Sequence, residues 1–201
     1  MKANQIYSAS LTSDTFLYYE LKQVLKLKEQ GLTDNQIRNM VVTENIFQYK
    51  SRKSAIRIVS SIFRRVKILD DYLINLVLNG SLDVGKTVNL YTIMKTSRIF
   101  FEFMDEIVRV KLENKDDFIE KKDINIFFAA KVEQSEIAAK WSATTIGKLK
   151  QVILKILSQM GIIEDVKECR IIRLLIAPEL AEHLVRVGDK SYLLAMGEYV
   201  E

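Results

Sequence analysis

A single proline, Pro178, and seven glycines punctuate 201 residues, and between them apolar side chains recur at spacings of three and four. Proline and glycine are the strongest local terminators of regular structure, so a chain this poor in them, with that period, folds mostly into helix. The residues are 48% apolar and 28% charged, the composition of a soluble globular chain, and the length suffices to bury a core without disulfides or metals. Cys169 is the only cysteine, which excludes an internal disulfide and a Cys-cluster zinc site. With His183 as the only histidine, any nucleophile–histidine centre would have to use that residue. The sequence therefore predicts a protein that is not an enzyme and needs no cofactor.

Residues Met1 to Gln5 lead into polar sequence without the apolar stretch of a secretion signal. No run approaches the roughly 18 apolar residues of a membrane span. A cytoplasmic protein with no membrane partner is the expectation. The greasiest run, Ile171 to Ala177, contains Arg173 and reads as a buried strand.

Charge is distributed unevenly. Lys50 to Lys67 holds seven bases (Lys50, Arg52, Lys53, Arg57, Arg64, Arg65 and Lys67) and no acid, whereas the rest of the chain carries 23 bases against 26 acids. The net +4 is thus concentrated on one element, the pattern of a polyanion-binding surface. A merely solvated helix face would intersperse glutamates to form i, i+4 pairs. On a helical wheel Ala55, Ile56, Val59, Ile62, Phe63 and Val66 fall within about 120°, and the bases from Arg52 to Lys67 spread over the other side. Ahead of this basic helix, Ser13 or Asp14 can cap a helix running to about Gln30 that ends at Gly31. Thr33 and Gln36 have the spacing of a capping box for a short helix from Asp34 to about Val42. Helix, glycine turn, short helix and basic helix is the order of a helix-turn-helix unit.

Beyond it, Tyr72 to Leu78 reads as helix, Asn79 to Gly85 as a loop, and Val88 to about Leu112 as helix again. Nine of the eleven residues from Glu113 to Asp123 are polar or charged. That predicts a linker between a helical domain over residues 1–115 and a second over 116–201. In the second, helices from Ile124 to Val132, from Ser135 to Trp141 and from about Thr144 to Gln159 precede a two-stranded hairpin of Ile162–Ile163 and Arg170–Ile176. This is the order of a winged helix. Its third helix would carry Thr144, Thr145, Lys148, Gln151 and Lys155 to a groove, where glutamine can read adenine bidentately. Arg170, with Arg173, would reach phosphate from the wing.

Gly80–Gly85–Lys86–Thr87 has the letters of a phosphate-binding loop, but the preceding segment reads as helix where such a loop follows a buried strand. A helix–helix connection is the expectation there. Trp141 and the Phe100, Phe101 and Phe103 cluster read as core. His183 reads as a surface or domain-contact residue, and Cys169 as unreactive.

Tyr7 to Thr12, Glu44–Asn45, Lys50 to Ser54 leading to Arg64–Arg65, Phe100 to Phe103 with Glu106, Trp141–Ser142 with Thr145, Lys148 with Gln151, and Met160 to Ile163 form a set of segments in a fixed order. Together they resemble the BrxA family of bacteriophage exclusion (BREX) phage-defence systems. The resemblance spans Tyr7 to Gly197. It implies a cytoplasmic, non-catalytic, helical DNA-binding protein encoded beside other BREX proteins, and it supplies no catalytic motif; taken with the basic and helix-turn-helix segments, the expectation is binding to double-stranded DNA with other BREX proteins as partners. Two alternatives stay open on the residues alone: an RNA-binding module, and an adaptor that docks its basic face on an acidic defence protein.

Overall fold

The computed structural model of the chain describes residues 6–199; the leader reading at Met1 to Gln5 lies outside them. The chain is mainly helical, as the scarcity of breakers requires. A 3-10 turn at Ser10–Thr12 precedes α1 (Tyr18–Glu29), α2 (Asp34–Thr43), α3 (Arg52–Val66), α4 (Asp71–Asn79) and α5 (Leu82–Thr96). Helix α6 (Arg98–Phe103) runs through a π turn, Met104–Arg109, into α7 (Val110–Asn114). Then come α8 (Lys121–Gln134), α9 (Glu136–Ala139), α10 (Ala143–Met160), α11 (Pro178–Arg186) and α12 (Lys190–Ala195).

Several of these helices start on local chemistry; α1 does not, since it begins after Leu17 with no side-chain cap and not at the expected Ser13 or Asp14. Thr33 and Gln36 close a reciprocal capping box on α2. Ser51, Asp70, Ser135 and Ser142 each accept a backbone N–H at the start of α3, α4, α9 and α10, satisfying donors that a helix cannot pair internally. Gly161, with φ +79°, ends α10 in the left-handed region that glycine enters without strain.

Two compact units divide the chain, one over Phe16–Thr92 and one over residues 6–15 and 93–199. The division falls within α5. The charged segment from Glu113 to Asp123, expected as a linker, is tied down inside the second unit. Lys111 Nζ lies 3.2 Å from Asp116 and 3.0 Å from Asp123, and Glu120 with Asp123 caps α8. Its charges neutralise one another locally where a linker would leave them to water.

The expected hairpin is reduced to two isolated antiparallel bridges, Ile163 with Ile171 and Phe118 with Arg170. The Ile172 amide donates to the Ile162 carbonyl (2.8 Å), and the Glu164 amide to the Arg170 carbonyl (2.9 Å). On the other side, the Ile171 amide donates to the Asp117 carbonyl (2.8 Å) and the Ile119 amide to the Cys169 carbonyl (3.0 Å). Both neighbouring segments are short because each runs directly into a helix end, at Gly161 and at the Glu120 cap. Pairing therefore stops at Ile172, and the run expected as a buried strand leaves Leu175 93% exposed.

The phosphate-loop letters also meet a different fate. The connection after α4 is shorter than expected. The Val84 amide donates to Ser81 Oγ (3.3 Å) and the Gly85 amide to the Ser81 carbonyl (3.0 Å). Gly85, Lys86 and Thr87 consequently sit inside α5, and Thr87 Oγ1 donates to the Asp83 carbonyl (2.8 Å). Gly85 is needed for packing: a Cβ there would collide with the Tyr18 hydroxyl. Gly85→Ala should destabilise the protein by about 1–3 kcal/mol, the usual cost of overpacking. Urea denaturation checks this, and an unchanged midpoint would mean that Tyr18 swings aside without cost.

Candidate nucleic-acid interface

Helix α3 sets its bases by rotation about its own axis. Ala55, Val59 and Ile62 are buried, and on the opposite side Lys53, Arg57, Ser60 and Arg64 follow one another at i, i+4, i+7 and i+11. At 1.5 Å rise per residue that row is about 16 Å long. Arg52, Lys53, Arg57, Arg64 and Lys67 are exposed, as is Lys50 ahead of the cap. Within the row Arg57 Nη2 donates to Ser54 Oγ (3.4 Å) and Arg64 Nη2 to Ser61 Oγ (2.9 Å), which orients both guanidinium groups along the helix.

Arg65 does not belong to this surface. It is 2% exposed, and its Nη1 donates to the Phe16 carbonyl (2.7 Å) and to Asn89 Oδ1 (3.3 Å). Asn89 Nδ2 donates to the same carbonyl (2.6 Å). The packed arc is accordingly rolled toward Arg65 and Ile58, and Ile56, expected inside, is 40% exposed. A wheel built on apolarity alone cannot place an arginine whose task is to satisfy a buried carbonyl.

Arg38 is the residue that sequence reasoning missed. From α2 its Nη1 donates to Ser60 Oγ (3.1 Å) and its guanidinium lies 5.5 Å from the Phe63 ring centroid. It brings a cation to the one position in the α3 row that has none. The contact is tertiary; the sequence signal was only that α2 is a short capped helix closely joined to α3.

Helix α10 presents a second row in the other unit. Thr144, Lys148, Gln151 and Lys155 are all exposed with the same i, i+4, i+7, i+11 spacing. Thr145 is separated from them: its amide donates to Ser142 Oγ (3.1 Å) and its hydroxyl is shared with the same oxygen (3.0 Å), so it serves the cap. Arg170 is exposed at the bridge, its guanidinium 5.7 Å from the Phe118 ring centroid. Arg173 is drawn away toward the carbonyls of Gly197 and Leu112.

A buried charged cluster lies in the same unit as α10. Glu102 accepts from Tyr7 Oη (2.6 Å), Arg98 Nε (2.7 Å) and Lys131 Nζ (2.9 Å). Lys131 also reaches Glu106 (2.6 Å), and the Arg98 guanidinium stacks 4.1 Å from the Tyr7 ring centroid. Burial alone would push the Glu102 carboxyl up, but the bonds from Tyr7, Arg98 and Lys131 outweigh it and hold the group below the ordinary carboxylate range. Burial and the Glu102 carboxylate together push the Tyr7 hydroxyl far up. Tyr7 in turn meets Trp141 edge-on at 6.3 Å, immediately before the α10 cap. Tyr7, Glu106, Trp141 and the Phe100–Phe103 stretch, scattered in the sequence, thus converge on one cluster. Phe101 packs on Tyr192 (4.9 Å) and Phe103 on Phe127 (5.1 Å), as core residues.

His183 is buried in α11, where a surface or domain-contact position was expected, with Arg186 Nη2 2.8 Å from its Nδ1. Cys169 is buried and its thiol is pushed up by burial, aided by the Asp165 charge. Among the described residues no group of three or more His, Cys, Asp or Glu side chains could hold a metal ion. No helix among them is long and apolar enough to cross a membrane.

These features define a mainly helical protein with two outward rows, one cationic and one mixed polar and cationic, over cores whose ionisable groups are held by internal partners. The chain belongs to the BrxA family, whose model matches residues 5–188. A BREX protein BrxA from Bacillus cereus is 38% identical, the match covering 98% of this chain and 100% of the relative. Another BREX protein BrxA, from Paramagnetospirillum magneticum, is 23% identical over 94% of each chain. The fold matches the crystal structure of an uncharacterized protein from Magnetospirillum magneticum with a TM-score of 0.82. That match covers 94% of this chain and 97% of the other at 22% identity.

Two outcomes follow from the buried groups. Arg65→Ala should cost about 2 kcal/mol by leaving the Phe16 carbonyl short of a donor, whereas Arg64→Ala should leave stability within about 0.5 kcal/mol of wild type; equilibrium unfolding separates them. Glu102→Gln should cost about 3 kcal/mol near neutral pH, because Lys131 is left buried beside a weakened partner. The folded-state pKa of Glu102 is depressed, so its contribution is present above the unfolded value of about 4.3 and is lost as pH falls through the folded one. The gap between wild type and Glu102→Gln should therefore close in acid, and a gap constant with pH would contradict the assignment.

Proposed function

We propose that this chain is a non-catalytic double-stranded DNA-binding component of a BREX phage-defence system, acting in the cytoplasm alongside other BREX proteins. The observation that carries the reading is the exposed α3 row of Lys53, Arg57 and Arg64, flanked by Lys50, Arg52 and Lys67 and joined by Arg38. Lys50, Arg52, Lys53 and Lys67 engage no acidic side chain among the described residues. An acid-free row of this kind suits a line of phosphates. Such contacts position a duplex without specifying its sequence.

Helices α1 to α3 serve in this reading as a helix-turn-helix unit. Helices α8 to α10 with the bridged segments at 117–119, 162–164 and 169–172 serve as a small winged helix, its wing being the turn from Asp165 to Arg170. The BREX assignment rests on membership of the BrxA family and on the likeness to the BREX proteins BrxA of other bacteria. A second reading, as an adaptor for another defence protein, is favoured by the exposed Ile172 and Leu175 (45% and 93%), a site where an apolar partner surface could dock.

Fluorescence anisotropy with a duplex of about 30 base pairs tests the reading. Arg52→Ala/Lys53→Ala/Arg57→Ala should weaken binding at least tenfold at about 0.1 M salt and flatten the log–log salt slope by nearly three units, at about 0.9 per phosphate contact. Duplex RNA of equal length should compete poorly, since A-form grooves present another shape. Undiminished binding by the triple variant would contradict the α3 assignment, and absence of duplex binding by wild type would leave the adaptor reading standing.

A further inference from the structure

Helix α10 contains a glycine that its own protein does not need. Gly147 lies in the second turn of an 18-residue helix, where glycine is about the worst residue short of proline because of the backbone entropy it loses. Glycine is normally retained in such a place for a close approach, as Gly85 is kept for the Tyr18 hydroxyl. At Gly147 nothing among the described residues makes that approach: a Cβ there would meet no atom of another element within 4 Å. The opening lies on the row already described. Thr144, Gly147 and Gln151 follow at i, i+3 and i+7, with Lys148 beside them and Lys155 one turn further.

The chemistry of this row differs from that of α3. Residues 143–160 contain no acid, and the outward groups alternate between lysines and side chains that both donate and accept. The side chains of Thr144, Lys148, Gln151 and Lys155 make no bond to another described residue. Lys150, on a different face, is turned to Asn125 (2.6 Å) and the Phe128 ring, so the lysines facing the row are those left for a ligand. Uncharged donor–acceptor groups beside a bare backbone match base edges in a groove, and lysines at intervals match the flanking phosphates.

We infer that the N-terminal half of α10 is a second, close-fitting duplex contact, in which Gly147 is kept without a side chain so that the helix can seat in the groove. Thr144 and Gln151 are then the residues that discriminate bases. The inference rests on the proposal that the chain binds duplex DNA, and adds to it a site whose affinity depends on fit more than on charge.

Gly147→Ala tests it, because the variant should move stability and binding in opposite directions. Removing a mid-helix glycine should raise Tm by about 2–4 °C in a chain of this length, while duplex affinity falls at least fivefold with the salt slope unchanged, since no charge is lost. Gln151→Ala, measured on a pool of duplexes of randomised sequence, should narrow the spread between preferred and average sequences. A raised Tm with unchanged affinity and unchanged sequence spread would overturn the inference while leaving the α3 contact intact. A lowered Tm would overturn it as well, by showing that the protein itself fills the space at Gly147. If wild type binds no duplex, the DNA reading and this inference fall together; if only the α3 triple variant loses affinity, this inference alone falls.

Discussion

The carbonyl of Phe16 fixes much of the unit that carries the basic helix. The residue after it, Leu17, has φ +51°, in the left-handed region that a branched side chain enters only at a cost. That turn starts α1, and it is held because two buried donors, Arg65 and Asn89, converge on the Phe16 oxygen. The same interaction sets the roll of α3. With Arg65 pointing inward, Lys53, Arg57 and Arg64 must point outward, so the exposed charge row is a consequence of satisfying one buried polar atom. An unpaired carbonyl at that depth would cost more than the net gain of an ordinary hydrogen bond.

In the second unit the corresponding role belongs to Glu102. One carboxylate gathers Tyr7, Arg98 and Lys131, and so joins the segment ahead of the 3-10 turn to α6 and α8. A buried ion network is costly to desolvate and is poor evidence for stability as such. What it supplies here is registration: Tyr7 is placed against Trp141, and Trp141 immediately precedes the Ser142 cap from which α10 projects its outward row. Both candidate contact surfaces are therefore oriented by buried polar groups, one through a backbone carbonyl and one through a carboxylate.

Much of this was legible in the sequence because it depends on local rules. The α2 capping box, the Ser135 cap and the stop at Gly161 are set by a few adjacent residues, and the helical class follows from the shortage of breakers, whereas the cap expected at Ser13 or Asp14 did not form because α1 starts from the turn at Leu17. The basic row was legible because seven bases without an acid in 18 residues admit few readings. What escaped depends on contacts distant in sequence. Arg65 is a buried donor only because Phe16, 49 residues earlier, needs one, and Arg38 joins the row only through Ser60. The strand expected from Arg170 to Ile176 did not form because its neighbours are cut short by helix ends. The glycine at 147 was visible as a letter, but its meaning required knowing that the space around it is empty.

If the acid-free face of α3 binds duplex DNA through its phosphates, that binding must depend steeply on salt. With about five phosphates neutralised, the logarithm of the association constant should fall with the logarithm of salt concentration at a slope near −4.5, a loss of between two and three orders of magnitude from 50 to 200 mM. Binding of the same duplex that is unaffected by salt across that range would contradict the account.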